Sequence, residues 1–401
     1  MLKFIFFAGG SLLLGGAAQA ACVANVAQGD GLNIRSEPSA SASVVTTVPS
    51  KSCRLVIDYK SCDAQDKKWC GVYYNGKFGW VNKKYFTPKD QIERNGFNYY
   101  VIKSVYDADN RGGRGYNIRR SYSEDLDYGS PVKIKSFYYD NAASKFVYPG
   151  GPSATMCVAA VAEVMIGAIN KYSIETGDVS VFSKLPPAHF SADAGVRHIR
   201  THIWEYSDLG SKGAAHALER FDIGKQRAWS ELTPGDFIKL NRDSGPGHST
   251  IFIDYVDLFG RPLQVYSEQH AAGFRYFSSQ GSGEDRNGNP VSSGLSFRTE
   301  FFNGKCGDQN QKKLGRCRVS GPNGRYGVNV GTMFHPSKWG VVGATYRNEL
   351  ANKEHIRLTG KSIRSGTATL LNSSNGSWLK KAVEDALAVQ LKPDAYPEFK
   401  E

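Results

Sequence analysis

The stretch from Cys157 to Tyr172 limits the possible folds more than any other part of the chain. Glu163 is the only charged residue in it before Asn170, and nearly all other positions there are apolar. A helix that is apolar on almost every side has no face for water, so it lies inside the protein. Later segments are typical of strands, at residues 236–240, 248–256, 273–277 and 295–302. A buried helix followed by antiparallel strands predicts an α+β domain.

Residues 1–20 have the pattern of a secretory signal. Lys3 supplies a positive charge, an apolar stretch follows, and small residues up to Ala20 form a cleavage site. The apolar stretch is too short and too interrupted by glycine to span a bilayer. Cys22 raises the possibility of a lipoprotein, but Gln19 stands where a lipid-attachment motif has Leu. We therefore expect cleavage near Ala20, a secreted, periplasmic or cell-wall protein, and no membrane span.

The chain has seven cysteines, which in an oxidising compartment predicts disulfides and one cysteine left over. Neighbouring positions suggest three pairs, Cys22 with Cys53, Cys62 with Cys70, and Cys306 with Cys317. The connectivity stays open because six cysteines can pair in many ways. Under this pairing Cys157 is the unpaired cysteine, either as an inert buried thiol or as a reactive one.

The formal net charge is +12, with the basic residues scattered along the chain. A basic surface attracts polyanions such as nucleic acid, anionic lipid or an acidic cell wall. Export argues against nucleic acid as the partner. The same charge is also compatible with an ordinary soluble surface.

Residues 22–88 read as a series of short strands, with the hairpin signal Asn75-Gly76 between two aromatic and β-branched runs. This segment resembles a bacterial SH3-like (SH3b) domain. The matching motifs are LNIRSEP at 32–38, the hairpin at 69–77 and GWVNKKY at 79–85. The resemblance implies a small β-barrel that binds cell-wall peptides, with peptidoglycan as partner, or one that merely serves as a spacer.

Two further segments have weaker signals. Residues 90–150 are rich in Tyr, Arg and Gly, and we expect a linker packed on the following domain. Residues 346–401 form a polar tail in which an amphipathic helix begins at Ser377. That helix either packs on the main domain or binds a partner.

Cys157 stands at the predicted start of the buried helix. The first turn of a helix has unpaired backbone N–H groups and the positive end of the helix dipole, and both favour a thiolate. The thiolate is the nucleophilic form of cysteine. The glycine-rich loop at 150–152 leaves room for a substrate carbonyl. The sequence therefore makes Cys157 a candidate nucleophile.

A thiolate nucleophile also needs a base, and His248 is the best placed of the eight histidines. It opens an apolar strand directly after the turn Gly245-Pro-Gly247. A histidine there is held by the sheet and reachable from the surface. The alternative is an ordinary hydrogen-bonded surface histidine.

Residues 150–300 resemble the NlpC/P60 and CHAP groups of papain-like cysteine peptidases and amidases. The motifs are CVAAVAE at 157–163, LTPGDF at 232–237, and Gly247-His248 entering an apolar strand. The resemblance implies a papain-like domain at 150–345 with a buried helix packed on an antiparallel sheet. It also implies a catalytic order of Cys, His and then a polar residue on the next strand, acting on peptidoglycan amide bonds without a cofactor.

The third member is predicted on the strand that runs from Arg275 to Gln280. Gln280 or Ser279 would accept from the imidazole N–H and fix its tautomer. Glu268 and His270, one strand earlier, are reserve candidates, and Gln280 is alternatively a plain turn residue. The Cys157 backbone N–H would contribute to an oxyanion hole.

These features predict an exported cysteine hydrolase that cuts amide bonds in peptidoglycan, as an endopeptidase or an amidase. The alternatives are a non-catalytic cell-wall-binding protein with a degenerate papain-like domain, or an exported antibacterial toxin with the same chemistry. The spacing of His198 and His202 resembles that of a zinc peptidase, but Ile199 and Arg200 stand where the catalytic glutamate would be, which argues against this class. Neither a structural zinc site nor a nucleotide-binding loop is recognisable, so no metal or cofactor is expected.

Overall fold

The computed structural model describes residues 21–63, 68–87, 96–111, 115–116, 120–122, 138–140, 145–147, 154–185, 199, 203, 213–242, 245–284, 290–306, 317, 319 and 328–339. The predicted signal peptide at 1–20 and the predicted tail helix after Ser377 lie outside this set. So do His198 and His202.

The N-terminal part is a small sheet with one short helix, α1 (Tyr59–Asp63). The strands are β1 (Cys22–Val23), β2 (Gly31–Arg35), β3 (Val44–Pro49), β4 (Val56–Ile57), β5 (Trp69–Tyr74), β6 (Lys77–Asn82) and β7 (Phe86–Thr87). The predicted hairpin at Asn75-Gly76 joins β5 to β6. Both residues have positive φ angles, 49° and 77°, as a type I′ turn requires. The strand-rich character expected for this segment is confirmed.

The expected closed barrel is not formed. The hydrogen-bonded order is β3-β2-β6-β5-β4, with β1 and β7 paired separately. Strand β4 has two residues and pairs with β5 alone among the described strands, so the sheet keeps two open ends. The N-terminal part is therefore an open five-stranded sheet.

The second part mixes helices with a larger sheet, as the sequence predicts. Its helices are α2 (Asn98–Arg111), α3 (Cys157–Thr176), α4 (Val181–Lys184) and α5 (Ala214–Arg220). Its strands are β8 (Gly115–Tyr116), β9 (Arg120–Tyr122), β10 (Tyr138–Asp140), β11 (Lys145–Val147), β12 (Ala154–Thr155), β13 (Gly224–Gln226), β14 (Phe237–Arg242), β15 (Gly245–Val256), β16 (Gly273–Gln280), β17 (Gly283–Glu284), β18 (Pro290–Val291), β19 (Gly294–Phe301) and β20 (Asn329–Met333). Six of the strands form an antiparallel sheet in the order β13-β20-β14-β15-β16-β19.

Helix α3 is the buried helix that the apolar stretch predicts. It ends at Thr176 and is capped by Gly177, whose left-handed φ of 71° suits glycine. Its length and hydropathy would also suit a membrane span, but 83% of the apolar window is buried inside the protein. Gly167 lets α2 approach closely, because a Cβ there would collide with the Ser104 side chain. Helix α2 falls in the segment expected to be a packed linker, and its Val101 and Val105 are fully buried in the same core.

The six-stranded sheet has two faces that are covered by different residues, because side chains alternate along a strand. On one face, Ile251 of β15 and its partner Phe277 of β16 share a buried cluster with helix α3. We call this the helix face. On the other face, Phe252 and its partner Tyr276 belong to a separate cluster. We call this the outer face.

All seven cysteines lie among the described residues, and six of them are paired. The disulfides are Cys22–Cys53, Cys62–Cys70 and Cys306–Cys317, which confirms the predicted pairing. Cys157 keeps a free thiol. Because the Cys22 sulfur is bonded to Cys53, it does not carry a lipid in this state.

Candidate active site

Cys157 is the first residue of helix α3, as predicted. Met156 precedes the helix in an extended conformation, and its side chain makes no capping hydrogen bond. The thiol therefore lies at the end of the helix where backbone N–H groups have no partner within the helix. The residue is 5% exposed and belongs to the core on the helix face. A substrate carbonyl would have to displace part of its surroundings to reach the sulfur.

His248 and Gln280 are brought together by strands β15 and β16. The imidazole Nε2 lies 3.2 Å from Gln280 Oε1. The same amide oxygen accepts a hydrogen bond of 3.0 Å from the Tyr276 hydroxyl, and the amide nitrogen donates to Ser296 Oγ at 3.1 Å. The His248 ring also lies edge-on to Tyr276, with ring centroids 5.6 Å apart. Gln280 is thus a fixed partner of the imidazole.

This network assigns the histidine tautomer. An amide oxygen only accepts hydrogen bonds, so the neighbouring Nε2 must donate. In the neutral ring the proton then sits on Nε2. Gln280 has the geometry of a group that orients an imidazole for proton transfer.

Cys157 and His248 have different neighbours in the described part of the chain. Leu240 pairs with His248 across the β14–β15 ladder, and Leu240 belongs to the cluster of the outer face. Contact of His248 with Tyr276 places its ring on that face too. Cys157 lies with the core of the helix face, and in the described part of the chain its sulfur makes no hydrogen bond to His248. Strand alternation thus places the His248 side chain on the outer face, whereas Cys157 belongs to the buried cluster of the helix face.

Ser279, the other candidate third residue, lies on the helix face. Side chains alternate along β16, so the Ser279 side chain points to the face opposite to that of its neighbours Ser278 and Gln280. Ser279 pairs with Leu295 of β19. The residue is fully buried, and its hydroxyl has no hydrogen-bond partner among the described residues. It is therefore on the same side of the sheet as Cys157, and not on the side of His248.

The reserve candidates Glu268 and His270 lie in the connection before β16, at the opposite end of this strand from Gln280. His270 is exposed and its Nδ1 contacts Ser267 Oγ at 2.9 Å. Neither residue is placed to orient His248. Among the described residues, no group of three or more His, Cys, Asp or Glu side chains could hold a metal ion.

The motif LTPGDF turns out to be a buried polar anchor, a role that sequence reasoning missed. Asp236 is fully buried and accepts hydrogen bonds from Thr233 N at 2.9 Å and from Asn98 Nδ2 at 2.8 Å. Arg227 forms an ion pair at 3.1 Å with Asp236 Oδ2, the same oxygen that accepts from the Thr233 amide. Gly235 has a φ of 97° and packs against the Asn98 backbone, so only glycine fits there. The motif fastens helix α2 to the start of β14.

The small N-terminal sheet carries a groove of its own. It encloses about 320 Å³ between polar and aromatic residues. The lining includes Asn25, Asp30, Arg35, Trp69, Asn82 and Tyr85. Rings beside hydrogen-bonding groups suit a ligand with both apolar and polar parts.

Comparison with known proteins identifies one segment. Residues 30–87 match the family model for the bacterial SH3 domain, which agrees with the resemblance seen in the sequence. No curated protein matches the chain.

Solved structures resemble the chain at low similarity. They include NlpC2 from Trichomonas vaginalis, with 14% identity, a TM-score of 0.21, and coverage of 80% of this chain and 73% of that one. NlpC1 from the same organism has 14% identity, a TM-score of 0.21, and coverage of 79% and 69%. An NlpC/P60 endopeptidase from Photobacterium damselae subsp. piscicida has 11% identity, a TM-score of 0.16, and coverage of 79% and 73%. These TM-scores do not establish a shared fold.

Proposed function

We propose that this chain, which carries a bacterial SH3 domain, is an exported cysteine hydrolase that cuts amide bonds in peptidoglycan. The observation that carries the proposal is the free thiol of Cys157 at the start of helix α3. The other six cysteines are all in disulfides, so this thiol is kept reduced in a chain that otherwise oxidises its cysteines. Disulfides are typical of proteins from oxidising compartments.

The rest of the molecule supports a cell-wall substrate. Bacterial SH3 domains bind peptidoglycan, and the groove beside Trp69 and Tyr85 offers aromatic and polar contacts for a wall peptide. The net charge of +12 draws the protein towards an acidic wall. Both features concentrate the chain on an insoluble polymer.

The proposed mechanism is acyl transfer to sulfur. His248 takes the proton of the Cys157 thiol, and the resulting thiolate attacks the amide carbonyl. The C–N bond breaks as the imidazolium gives that proton to the leaving amine, and water then hydrolyses the thioester. The backbone N–H of Cys157 helps to stabilise the oxyanion. Because the thiol and the imidazole face opposite sides of the sheet, this mechanism requires the first turn of α3 to move relative to the start of β15.

A second candidate needs no such movement. A wall-binding protein with an inactive second domain would keep the SH3 domain and its groove, and would leave Cys157 buried. The separation of Cys157 from His248 favours this candidate. It predicts attachment to the wall without turnover.

Incubation of the purified protein with sacculi separates the two candidates. The hydrolase releases soluble fragments whose new amine and carboxyl ends identify the cut bond by mass spectrometry. The binder only co-sediments with the sacculi. Iodoacetamide labelling adds a second measurement, since a catalytic Cys157 should react near neutral pH faster than free cysteine.

Replacement of His248 by alanine should lower the rate of fragment release at least ~100-fold, because proton transfer to the leaving amine is lost. Gln280→Leu should cause a smaller loss and change the pH profile, because the ring is no longer oriented. Thr250→Val is the matched control. Thr250 lies two residues after His248 and therefore on the same face of β15. It is fully buried, and its hydroxyl has no hydrogen-bond partner among the described residues. Equal activity of the His248 and Thr250 variants would remove His248 from the mechanism.

A further inference from the structure

The bacterial SH3 domain and the six-stranded sheet meet at a buried cluster of charges. Arg54, at the edge of the small sheet, places Nε 2.6 Å from Asp254 Oδ1. Arg275 of β16 forms an ion pair with the other carboxylate oxygen, also at 2.6 Å. The side chains of Arg54 and Asp254 are 9% and 2% exposed. One buried carboxylate thus holds two arginines from different parts of the chain.

Backbone and side-chain hydrogen bonds surround this cluster. The Cys53 amide N–H donates to the Gln264 carbonyl at 2.7 Å, directly beside Arg54. The Tyr74 hydroxyl donates to Gln264 Oε1 at 3.5 Å, and Arg54 itself donates to Tyr74 at 3.4 Å. The contact is therefore specific in orientation, since charge and backbone groups are matched at the same place.

Apolar packing extends the same interface. Val56 of β4 belongs to the buried cluster that contains helix α3. The Tyr73 ring lies 5.4 Å from Tyr99 and 6.5 Å from Tyr106, both on helix α2. Gly76 approaches the Tyr106 ring so closely that a Cβ there would lie 2.7 Å from it. A linker-tethered domain would have no reason to share a core with its neighbour.

We propose that the Arg54–Asp254–Arg275 bridge locks the SH3 domain onto the second domain, so that both form one folding and wall-binding unit. A wall segment bound to the SH3 domain then has a fixed orientation relative to the second domain. A flexible linker between the domains would not fix that orientation. The wall part of this inference rests on the proposed function. The locking itself does not, because it concerns only contacts within the chain.

Calorimetry of the full chain tests the lock. The native protein should unfold in one transition. Asp254→Asn leaves two arginines facing each other without a carboxylate, and should split the transition or lower its midpoint by roughly 10 °C. Arg54→Met, which removes the partner on the SH3 side, should uncouple the domains in the same way. It decides the question if the Asp254 variant does not fold.

Asp257→Asn is the matched control. Asp257 lies three residues from Asp254 and pairs with Arg261, whose side chain is 68% exposed. Arg261 is largely exposed, and asparagine keeps an oxygen that can accept from the Phe259 and Arg261 amides, so the midpoint should stay within about 2 °C of the native value. The lock is disproved if the native chain shows two separate transitions. It is also disproved if the Asp254 and Arg54 variants unfold like the Asp257 control.

Sedimentation with sacculi tests the consequence for the wall. Uncoupled variants should keep their affinity for sacculi, because the SH3 groove is untouched, but release fragments more slowly than the control. An absence of fragments from the native protein would refute the proposed hydrolase and leave the calorimetric result standing. Unchanged release by uncoupled variants would refute the fixed presentation of the wall.

Discussion

Cys157→Ala is expected to lower the release of soluble fragments from sacculi by about 10⁴-fold or more, because no other group can form the thioester. The fold should survive. Cys157 is 5% exposed and makes no hydrogen bond in the described part of the chain, so the change costs only about 1 kcal/mol of lost burial. Fragment release by mass spectrometry and thermal unfolding measure the two effects separately.

Val158→Ala is the control for this variant. Val158 is the next residue of the same helical turn and is 2% exposed. Its truncation leaves a cavity close to the one that the Cys157 variant leaves. We expect a stability loss of about 2 kcal/mol and retained activity. If the Cys157 variant still releases fragments, the thiol is not the nucleophile. If both variants lose activity together, a packing defect explains the loss.

Asp236→Ala should lower the free energy of unfolding of the chain by about 3–5 kcal/mol, which is the usual cost of removing one partner of a buried ion pair. The change leaves Arg227 without its carboxylate, because the two side chains are 1% and 0% exposed and pair with each other. It also removes the acceptor for Asn98, and with it the attachment of helix α2. The free energy of unfolding in urea measures the loss.

Glu268→Ala provides the comparison. Glu268 carries an exposed carboxylate, so its removal should change the free energy of unfolding by about 0.5 kcal/mol or less. The same variant should keep full activity, since Glu268 lies at the far end of β16 from Gln280. A loss below about 1 kcal/mol for the Asp236 variant would show that the LTPGDF motif is not a structural anchor.

Local patterns in the sequence predicted the buried helix, the Asn75-Gly76 hairpin and the cysteine pairing. Each depends on residues that are near one another in the chain. The partnership of His248 with Gln280 was also accessible, because consecutive antiparallel strands are usually neighbours. The identity of the residues around Asp236 was not, since Asn98 comes from a segment that had no clear pattern.

The face of the sheet on which His248 lies could not be read from the sequence. Ser249 and Thr250 are both polar, and the residues from Ile251 to Ile253 are all apolar and all buried. Without alternation, a strand buried on both sides gives no sign of which residues point to the helix. A shift of one residue moves every side chain to the other face. The register of the sheet therefore determines the face on which the His248 side chain lies, which the composition of the strand does not indicate.

The open sheet has a similar cause. The sequence predicts strands and turns, but closure depends on hydrogen bonds between the first and last strands, which lie far apart in the chain. With two residues in β4, few backbone groups remain to complete the ring. Strand length, which local patterns define poorly, settled the architecture.

The single free sulfur has a consequence for how the protein matures. Before the core forms, this thiol can attack each of the three disulfides and scramble them. Two of the crosslinks join cysteines 8 and 11 residues apart, and short loops close early. Once helix α3 is packed, the Cys157 sulfur is buried and cannot reach the three disulfides. Burial thus separates the free thiol from the disulfides of the folded chain. Correct maturation then depends on whether the core or the disulfides form first.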